Sequence, residues 1–200
     1  MSRFAFAPSA ALVLKNLQKS VLHVPAVTVS GESLAKSLTL AAAFRSAGLP
    51  VVLVEVAWSP DNGDLLQDLS VLPGFAHFPP LDLYGFPAQL RVTDNDVIIT
   101  KRRWGAFAGT ELDLKLRRRG IKQIAFAGTY TSIGVESTGR SAWEHNYQMT
   151  FVSDSTTDTD SDAHYFTRTG WITTAGETIG LVGGCLALRR RHDAGIYSGV

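Results

Sequence analysis

Short and almost continuous apolar runs recur along the chain and alternate with segments of helical periodicity. The runs lie at residues 10–14, 51–56, 97–100, 123–127 and 149–153, and residues 171–173 are a candidate for a short sixth. Continuous runs are typical of strands that are covered on both faces. Helical patterns lie at residues 32–47, 110–119, 132–146 and 177–191. The repeating order of strand and helix predicts an α/β fold with a parallel sheet and helices on both sides.

Two long stretches, residues 58–94 and 154–170, show neither pattern and are predicted to be irregular. Both follow the carboxyl end of a predicted strand, and open α/β sheets bind their ligands at that edge. Long loops in compact domains are often functional. The strand-edge loops are therefore the predicted location of a binding crevice.

Composition narrows the function classes. The chain has 200 residues, of which 45% are hydrophobic and 18% charged, and its net charge is +1. These values predict one globular domain over residues 1–200. The near-zero net charge gives no overall positive potential that would attract nucleic acid or an anionic membrane surface. The single cysteine excludes an internal disulfide and fits a reducing compartment. Lys15 and Asn16 interrupt the apolar N-terminal run, so we expect no signal peptide and a cytoplasmic protein.

One segment of the chain carries a family resemblance. Residues 94–147 read DNDVIITKRRWGAFAGTELDLKLRRRGIKQIAFAGTYTSIGVESTGRSAWEHNY. In order, they show an aspartate before an apolar strand, a lysine, Ala-Phe, Thr-x-Leu, Gly-Ile, a strand-ending glycine and a Thr-x-Arg step. This order resembles the isochorismatase-like hydrolases, or cysteine hydrolase superfamily. The resemblance implies a three-layer α/β/α sandwich with a Rossmann-like, six-stranded parallel sheet in the order 3-2-1-4-5-6.

The resemblance also implies a catalytic site in which an aspartate, a lysine and a cysteine cooperate. The lysine corresponds to Lys101, but the aspartate position is occupied by Asn16 and the cysteine position by Gly134. Lys15 stands where the family usually has an apolar residue. The only cysteine, Cys185, comes about 50 residues later in a predicted helix, and we expect it to be a small buried side chain. A cysteine-nucleophile mechanism is therefore not possible.

The vinyl-ether cleavage of isochorismatases proper needs no thiol, but it depends on the aspartate as an acid. Asn16 cannot supply a proton at neutral pH and can only orient a group by hydrogen bonds. Glu55, at the end of the second predicted strand, is a substitute acid if it faces the crevice, and otherwise a solvated or paired carboxylate. The backbone N–H of Gly134 is the expected site for developing negative charge. Ser132 is expected to cap a helix, because no histidine follows it at a triad spacing.

Further positions match family slots in the same way. Trp104 and Phe107 correspond to aromatic walls that stack on a flat substrate, and core or interface packing is the alternative. Thr129 and Tyr130 border the Gly134 loop, and the bond between them corresponds to a cis peptide bond in many family members.

Arg140 and Asp154 are expected to tie elements together. The nicotinamidase branch of the family carries histidines after the second strand, whereas this chain has none there, and His77 is isolated in sequence. We therefore expect no metal and no cofactor.

Two functions remain open. One is a hydrolase with altered machinery that acts on a small anionic or amide-containing metabolite. The other is a non-catalytic family member that binds a small molecule or serves as a structural subunit. The resemblance also implies a homodimer or a larger homo-oligomer.

Overall fold

A computed structural model describes residues 6–27, 30–61, 63–65 and 84–180. Six parallel strands form a single sheet in the order β3-β2-β1-β4-β5-β6, which confirms the predicted topology. The strands are β1 (Ala10–Lys15), β2 (Val51–Val56), β3 (Val97–Lys101), β4 (Gln123–Thr129), β5 (Gln148–Thr157) and β6 (Glu177–Ile179). The first five confirm the five continuous apolar runs, because strands buried on both faces need apolar side chains in both directions.

Helices cover both faces of this sheet. They are α1 (Lys19–Leu22), α2 (Ser30–Ser46), α3 (Leu112–Arg118), α4 (Glu136–Glu144), α5 (Ser161–Thr169) and α6 (Trp171–Ala175), with a 3-10 turn at Ala88–Leu90 and a π-helical turn at Thr131–Val135. Leu40, Ala41 and Phe44 of α2 pack on one face against Leu12, Leu14 and Leu53. Residues of α3, α4 and α6 pack on the other face against Val13, Val54 and Ile99. The molecule thus has the predicted α/β/α sandwich.

The carboxyl-terminal third departs from the sequence prediction. Trp171–Ala175 is a helix and not the sixth strand, and that strand lies instead at Glu177–Ile179. The prediction of a helix beginning at Glu177 is therefore wrong, and its later residues lie outside the described part. Ile172 is buried in the hydrophobic core, but it belongs to helix α6 and not to a strand. A three-residue apolar run has no readable period, so it cannot separate strand from helix.

The stretch 154–170 is not irregular. β5 continues to Thr157, and α5 follows after Asp160, whose side chain caps it by accepting a hydrogen bond from Ala163 N at 2.8 Å. The register of β5 against β4 shifts between Phe126 and Gly128, which inserts extra polar residues into the strand. About half of the other predicted irregular stretch, residues 58–94, lies outside the described ranges, and its described part includes the 3-10 turn.

Two smaller predictions are also corrected. The predicted helix at 132–146 starts as the π-helical turn and becomes α-helical only at Glu136. Among the described residues no peptide bond is cis, so the expected cis bond between Thr129 and Tyr130 is wrong.

No helix of the described ranges combines the length and the apolar character needed to cross a bilayer.

Candidate functional site

Lys15 ends β1 and Lys101 ends β3, and the two side chains point to the same face of the sheet. Side chains two positions apart on a strand point to the same face. Lys15 therefore faces the same side as Ala11 and Val13 of β1, and Lys101 faces the same side as Val97 and Ile99 of β3. The four apolar residues belong to the core under α3, α4 and α6. Lys15 is 0% exposed and Lys101 3% exposed. Two amino groups are therefore held inside the protein at the carboxyl edge of the sheet.

Both amino groups are hydrogen-bonded to the loop that follows β3. Lys101 Nζ donates to the backbone oxygen of Arg103 at 2.7 Å, and Lys15 Nζ donates to that of Trp104 at 3.2 Å. Within the described part of the chain, neither lysine forms an ion pair with a carboxylate. Buried charges are ordinarily paired, so this arrangement is costly unless an anion joins it.

Burial changes the protonation of both lysines. It lowers the pKa of Lys101 to about 8, because the charged form loses its hydration. The pKa of Lys15 lies well below its ordinary value, first because of burial and second because the Lys101 charge is close. The pKa values of both amines in this site therefore lie below the ordinary value for lysine.

Asn16 and Gly134 lie beside Lys15. A Cβ atom built on Gly134 would lie 3.4 Å from Asn16 Nδ2, 3.4 Å from Lys15 Cε and 3.7 Å from Lys15 Nζ. Asn16 itself has a left-handed backbone with φ of 54°, which asparagine tolerates better than most residues. Asn16 and Gly134 therefore border Lys15, and Lys15 is joined to Lys101 through the loop that follows β3.

Gly128 on β4 allows this close packing. It pairs with Lys15 in the sheet, and a Cβ atom at Gly128 would lie 2.2 Å from the Lys15 backbone oxygen. Its φ of +129° also disfavours any other residue. Glycine at position 128 is therefore required for the backbone that presents Lys15.

Gln18 fixes the neighbouring end of β2 and was missed by sequence reasoning. Its Oε1 accepts from Val56 N at 2.7 Å, and its Nε2 donates to Val56 O at 2.9 Å and to Tyr84 O at 2.7 Å. The sequence signal is a glutamine three residues after the end of the buried strand β1.

The expected charge-stabilising role of the Gly134 N–H is wrong in this conformation. The N–H groups of Ile133, Gly134 and Val135 all converge on the backbone oxygen of Tyr130, with the Gly134 bond at 2.8 Å. The π-helical turn has no side-chain cap, so the prediction that Ser132 caps it is also wrong. Ser132 instead donates its backbone N–H to Asp158 Oδ2 at 2.6 Å.

Glu55 does not face the lysines. It precedes Val56 on β2, and successive side chains of a strand point to opposite faces. Val56 is the register partner of Lys101, whereas Glu55 pairs with Thr100 and accepts a hydrogen bond from Thr100 Oγ1 at 2.8 Å. The prediction of Glu55 as a site acid is therefore wrong, because it lies across the sheet from both amino groups.

The four remaining site candidates are Trp104, Phe107, Thr129 and Tyr130. Trp104 is 48% exposed on the loop that accepts from Lys15. Phe107 is a core residue, stacked on His145 with ring centroids 5.1 Å apart, so the packing alternative is the correct one for it. Thr129 Oγ1 donates to Asn16 O at 3.0 Å and supports the loop. Thr129 and Tyr130 line a shallow pocket whose lining does not include either lysine.

Two residues that were expected to connect elements were also located. Arg140 pairs with Glu136 at 2.7 Å and lies over the Trp171 ring at 4.7 Å, which ties α4 to α6 and confirms the prediction. Asp154 lies within β5 and not in a loop. Cys185 and His77 lie outside the described residues. Over the ranges described, no group of three or more histidine, cysteine, aspartate or glutamate side chains is placed to hold a metal ion.

Comparison with known proteins agrees with this architecture. The isochorismatase domain family model matches residues 10–174. The isochorismatase family protein YecD of Escherichia coli O157:H7 is 40% identical over 159 residues, which are 79% of this chain and 85% of YecD. A solved isochorismatase family protein from Burkholderia thailandensis is 38% identical, with a TM-score of 0.86 over 94% of this chain and 100% of that one. The chain belongs to the isochorismatase family.

Proposed function

We propose that this family member binds a small anionic metabolite at Lys15 and Lys101 and does not carry out thiol-dependent hydrolysis. The observation that carries the proposal is the pair of buried amino groups without a carboxylate partner in the described structure. A ligand carboxylate would accept hydrogen bonds from both lysines in place of the two loop carbonyls. Hydrogen bonds between charged partners are stronger than bonds to a neutral carbonyl.

Asn16 adds a second element of recognition. Its Oδ1 is buried and accepts no hydrogen bond in the described part of the chain. A buried acceptor without a donor costs about 1–3 kcal/mol. A ligand with an N–H or O–H group next to its carboxylate would satisfy Asn16 and both lysines together. A hydroxy acid, or an acid that carries an amide, has this combination.

The arrangement gives little support to acid catalysis by the family route. Asn16 has no titratable proton near neutral pH, and Glu55 faces the other side of the sheet. Hydrolysis with altered machinery remains the alternative function, and turnover of a metabolite library by the wild-type protein, lost in Lys101→Met, would support it.

Binding is tested by isothermal titration calorimetry with malonate as a minimal dicarboxylate probe, in low-salt buffer at pH 7. Wild type and Lys122→Met should bind equally, because Lys122 is exposed at the other end of the sheet. Lys101→Met should bind at least tenfold more weakly. Equal malonate affinity in wild type and Lys101→Met, or no binding of any small carboxylate by wild type, would refute the proposal.

A further inference from the structure

We propose that Lys15 is a nucleophilic amine that forms an imine with a small carbonyl compound carrying a carboxylate, such as a 2-oxo acid. This inference rests on the proposed anion site and names a substrate class, in which the carbinolamine hydroxyl supplies the donor that Asn16 Oδ1 lacks. It assigns covalent chemistry to a residue that stands at an apolar position of the family pattern.

The position of Lys15 carries the inference. Its Nζ lies 3.7 Å from the point where the Cβ of a side chain at residue 134 would be. By resemblance, residue 134 is where the family carries its nucleophile. The amine therefore lies in the region where a thiol attached at that position would meet a substrate carbonyl. Asn16 Nδ2 lies 3.4 Å from the same point, so glycine at residue 134 leaves this position to Lys15 and Asn16.

The two amines are suited to different roles. An amine attacks a carbonyl only in its neutral form, and burial near another cation is an established way to obtain that form near neutral pH. Burial and the Lys101 charge both lower the pKa of Lys15. The pKa of Lys101 is about 8, so most Lys101 side chains remain ammonium groups at pH 7. Lys15, whose amine lies beside the residue 134 position, is thus the nucleophile, and Lys101 is the partner of the carboxylate.

The reaction needs no oxidant or reductant. The lone pair of Lys15 Nζ attacks the carbonyl carbon, and the carbonyl oxygen gains a proton to give a carbinolamine. The carbon–oxygen bond then breaks, and the oxygen leaves as water with the two hydrogens that the neutral amine originally held. The product is a carbon–nitrogen double bond at Lys15. The unpaired Asn16 Oδ1 is available to accept the hydroxyl hydrogen of the carbinolamine.

Access to Lys15 requires movement of the loop that follows β3. Residues 102–104 of this loop are exposed, and the loop holds Lys15 by one long hydrogen bond, to Trp104 O at 3.2 Å. Replacement of the two carbonyl acceptors by a ligand carboxylate would release both amines. Opening of the loop and binding of the anion are therefore one event.

The test is reductive trapping. Wild-type protein is incubated at pH 7 with glyoxylate or pyruvate and sodium cyanoborohydride, which reduces an imine to a stable secondary amine. Peptide mapping by mass spectrometry then gives a labelling rate for each lysine. Lys15 should be labelled at least tenfold faster than the exposed Lys122, and an excess of malonate should abolish the difference. This comparison is made within one folded chain and needs no variant.

Lys101→Met should slow labelling of Lys15 at least tenfold, whereas Lys122→Met should leave it unchanged. Labelling of Lys15 at or below the rate of Lys122 would overturn the inference. If malonate still binds in that case, only the imine is refuted and the proposed function stands. If malonate does not bind either, both are refuted.

Discussion

The amino groups of Lys15 and Lys101 donate to consecutive backbone carbonyls, that of Trp104 at 3.2 Å and that of Arg103 at 2.7 Å. Two strands that are not adjacent in the sheet are thereby connected through one short loop. Because neutral carbonyls are weak partners for a buried ammonium group, the site carries an electrostatic cost in the absence of ligand. Several measurable consequences follow from that cost.

Replacement of Lys101 by methionine should stabilise the protein at neutral pH. The folded-state pKa of about 8 lies below the ordinary value of 10.5, so between these values the unfolded chain binds more protons than the folded one. The free energy of unfolding of wild type should therefore rise with pH across this window, and the cost of Lys101 should be greatest below pH 8. Lys101→Met should gain on the order of 1–3 kcal/mol at pH 7.

Chemical denaturation at pH 7 and at pH 9.5 measures this effect. The stability difference between wild type and Lys101→Met should shrink at the higher pH. Other titrating groups are present in both proteins and cancel in the difference, except for Lys15, whose pKa rises when the Lys101 charge is removed. A difference that does not change with pH would show that Lys101 is not destabilised by its environment.

Anion binding should show the opposite dependence on pH. Above pH 8 the Lys101 ammonium loses its proton and its attraction for a carboxylate. Malonate affinity should therefore fall by up to about tenfold per pH unit above pH 8. Calorimetric titrations between pH 6.5 and 9.5 give the profile, and the weak residual binding of Lys101→Met should lack the step near pH 8. A wild-type profile that is flat over this range would argue against Lys101 as a ligand-binding cation.

Gly128→Ala should be far more damaging than Gly48→Ala, although both glycines have positive φ angles. A Cβ atom at Gly128 meets the Lys15 backbone oxygen at 2.2 Å, whereas nothing lies within 4 Å of one at Gly48. We expect Gly48→Ala to cost about 1–2 kcal/mol and Gly128→Ala to cost more than 4 kcal/mol or to prevent folding. Thermal unfolding of the two variants provides the comparison, and similar melting temperatures would contradict the close packing of β1 on β4.

Gly134→Cys in a Cys185→Ser background should give a thiol with a lowered pKa. The new side chain would begin 3.4 Å from Lys15 Cε, so the two lysines would stabilise its thiolate. We expect a pKa at least about one unit below the ordinary value near 8.5, measured from the pH dependence of alkylation by iodoacetamide. Addition of Lys101→Met should raise that pKa. A thiol pKa above the ordinary value would mean that burial outweighs the Lys101 charge and hydrogen bonding by Lys15.

The fold was predictable wherever the chain is continuously apolar. β1 to β4 match their apolar runs because buried parallel strands leave no polar alternation to misread. The prediction failed where β5 takes up polar residues. Thr156 and Thr157 are buried in β5 opposite Gly128 and Thr129, and no local pattern distinguishes such threonines from a loop.

The sequence indicated candidate positions for the site, but not the face of the sheet to which each side chain points. Asn16 and Gly134 both lie beside Lys15, and Lys101 shares the loop after β3 with Lys15. Glu55 failed because the face to which a strand residue points depends on register with its neighbours, and Glu55 and Lys101 are offset by one position. Lys15 could have been found, since it continues the alternation of Ala11 and Val13 toward the core.

The convergence of three N–H groups on Tyr130 O matters to anyone who wants to engineer amidase activity into this scaffold. Exchanging Asn16 for aspartate and Gly134 for cysteine would supply an attacking group and its base. The N–H groups of Ile133, Gly134 and Val135 would still not be free to stabilise the tetrahedral adduct, because all three are committed to Tyr130 O. A successful redesign therefore has to rebuild the path of the main chain after β4 before it changes any side chain.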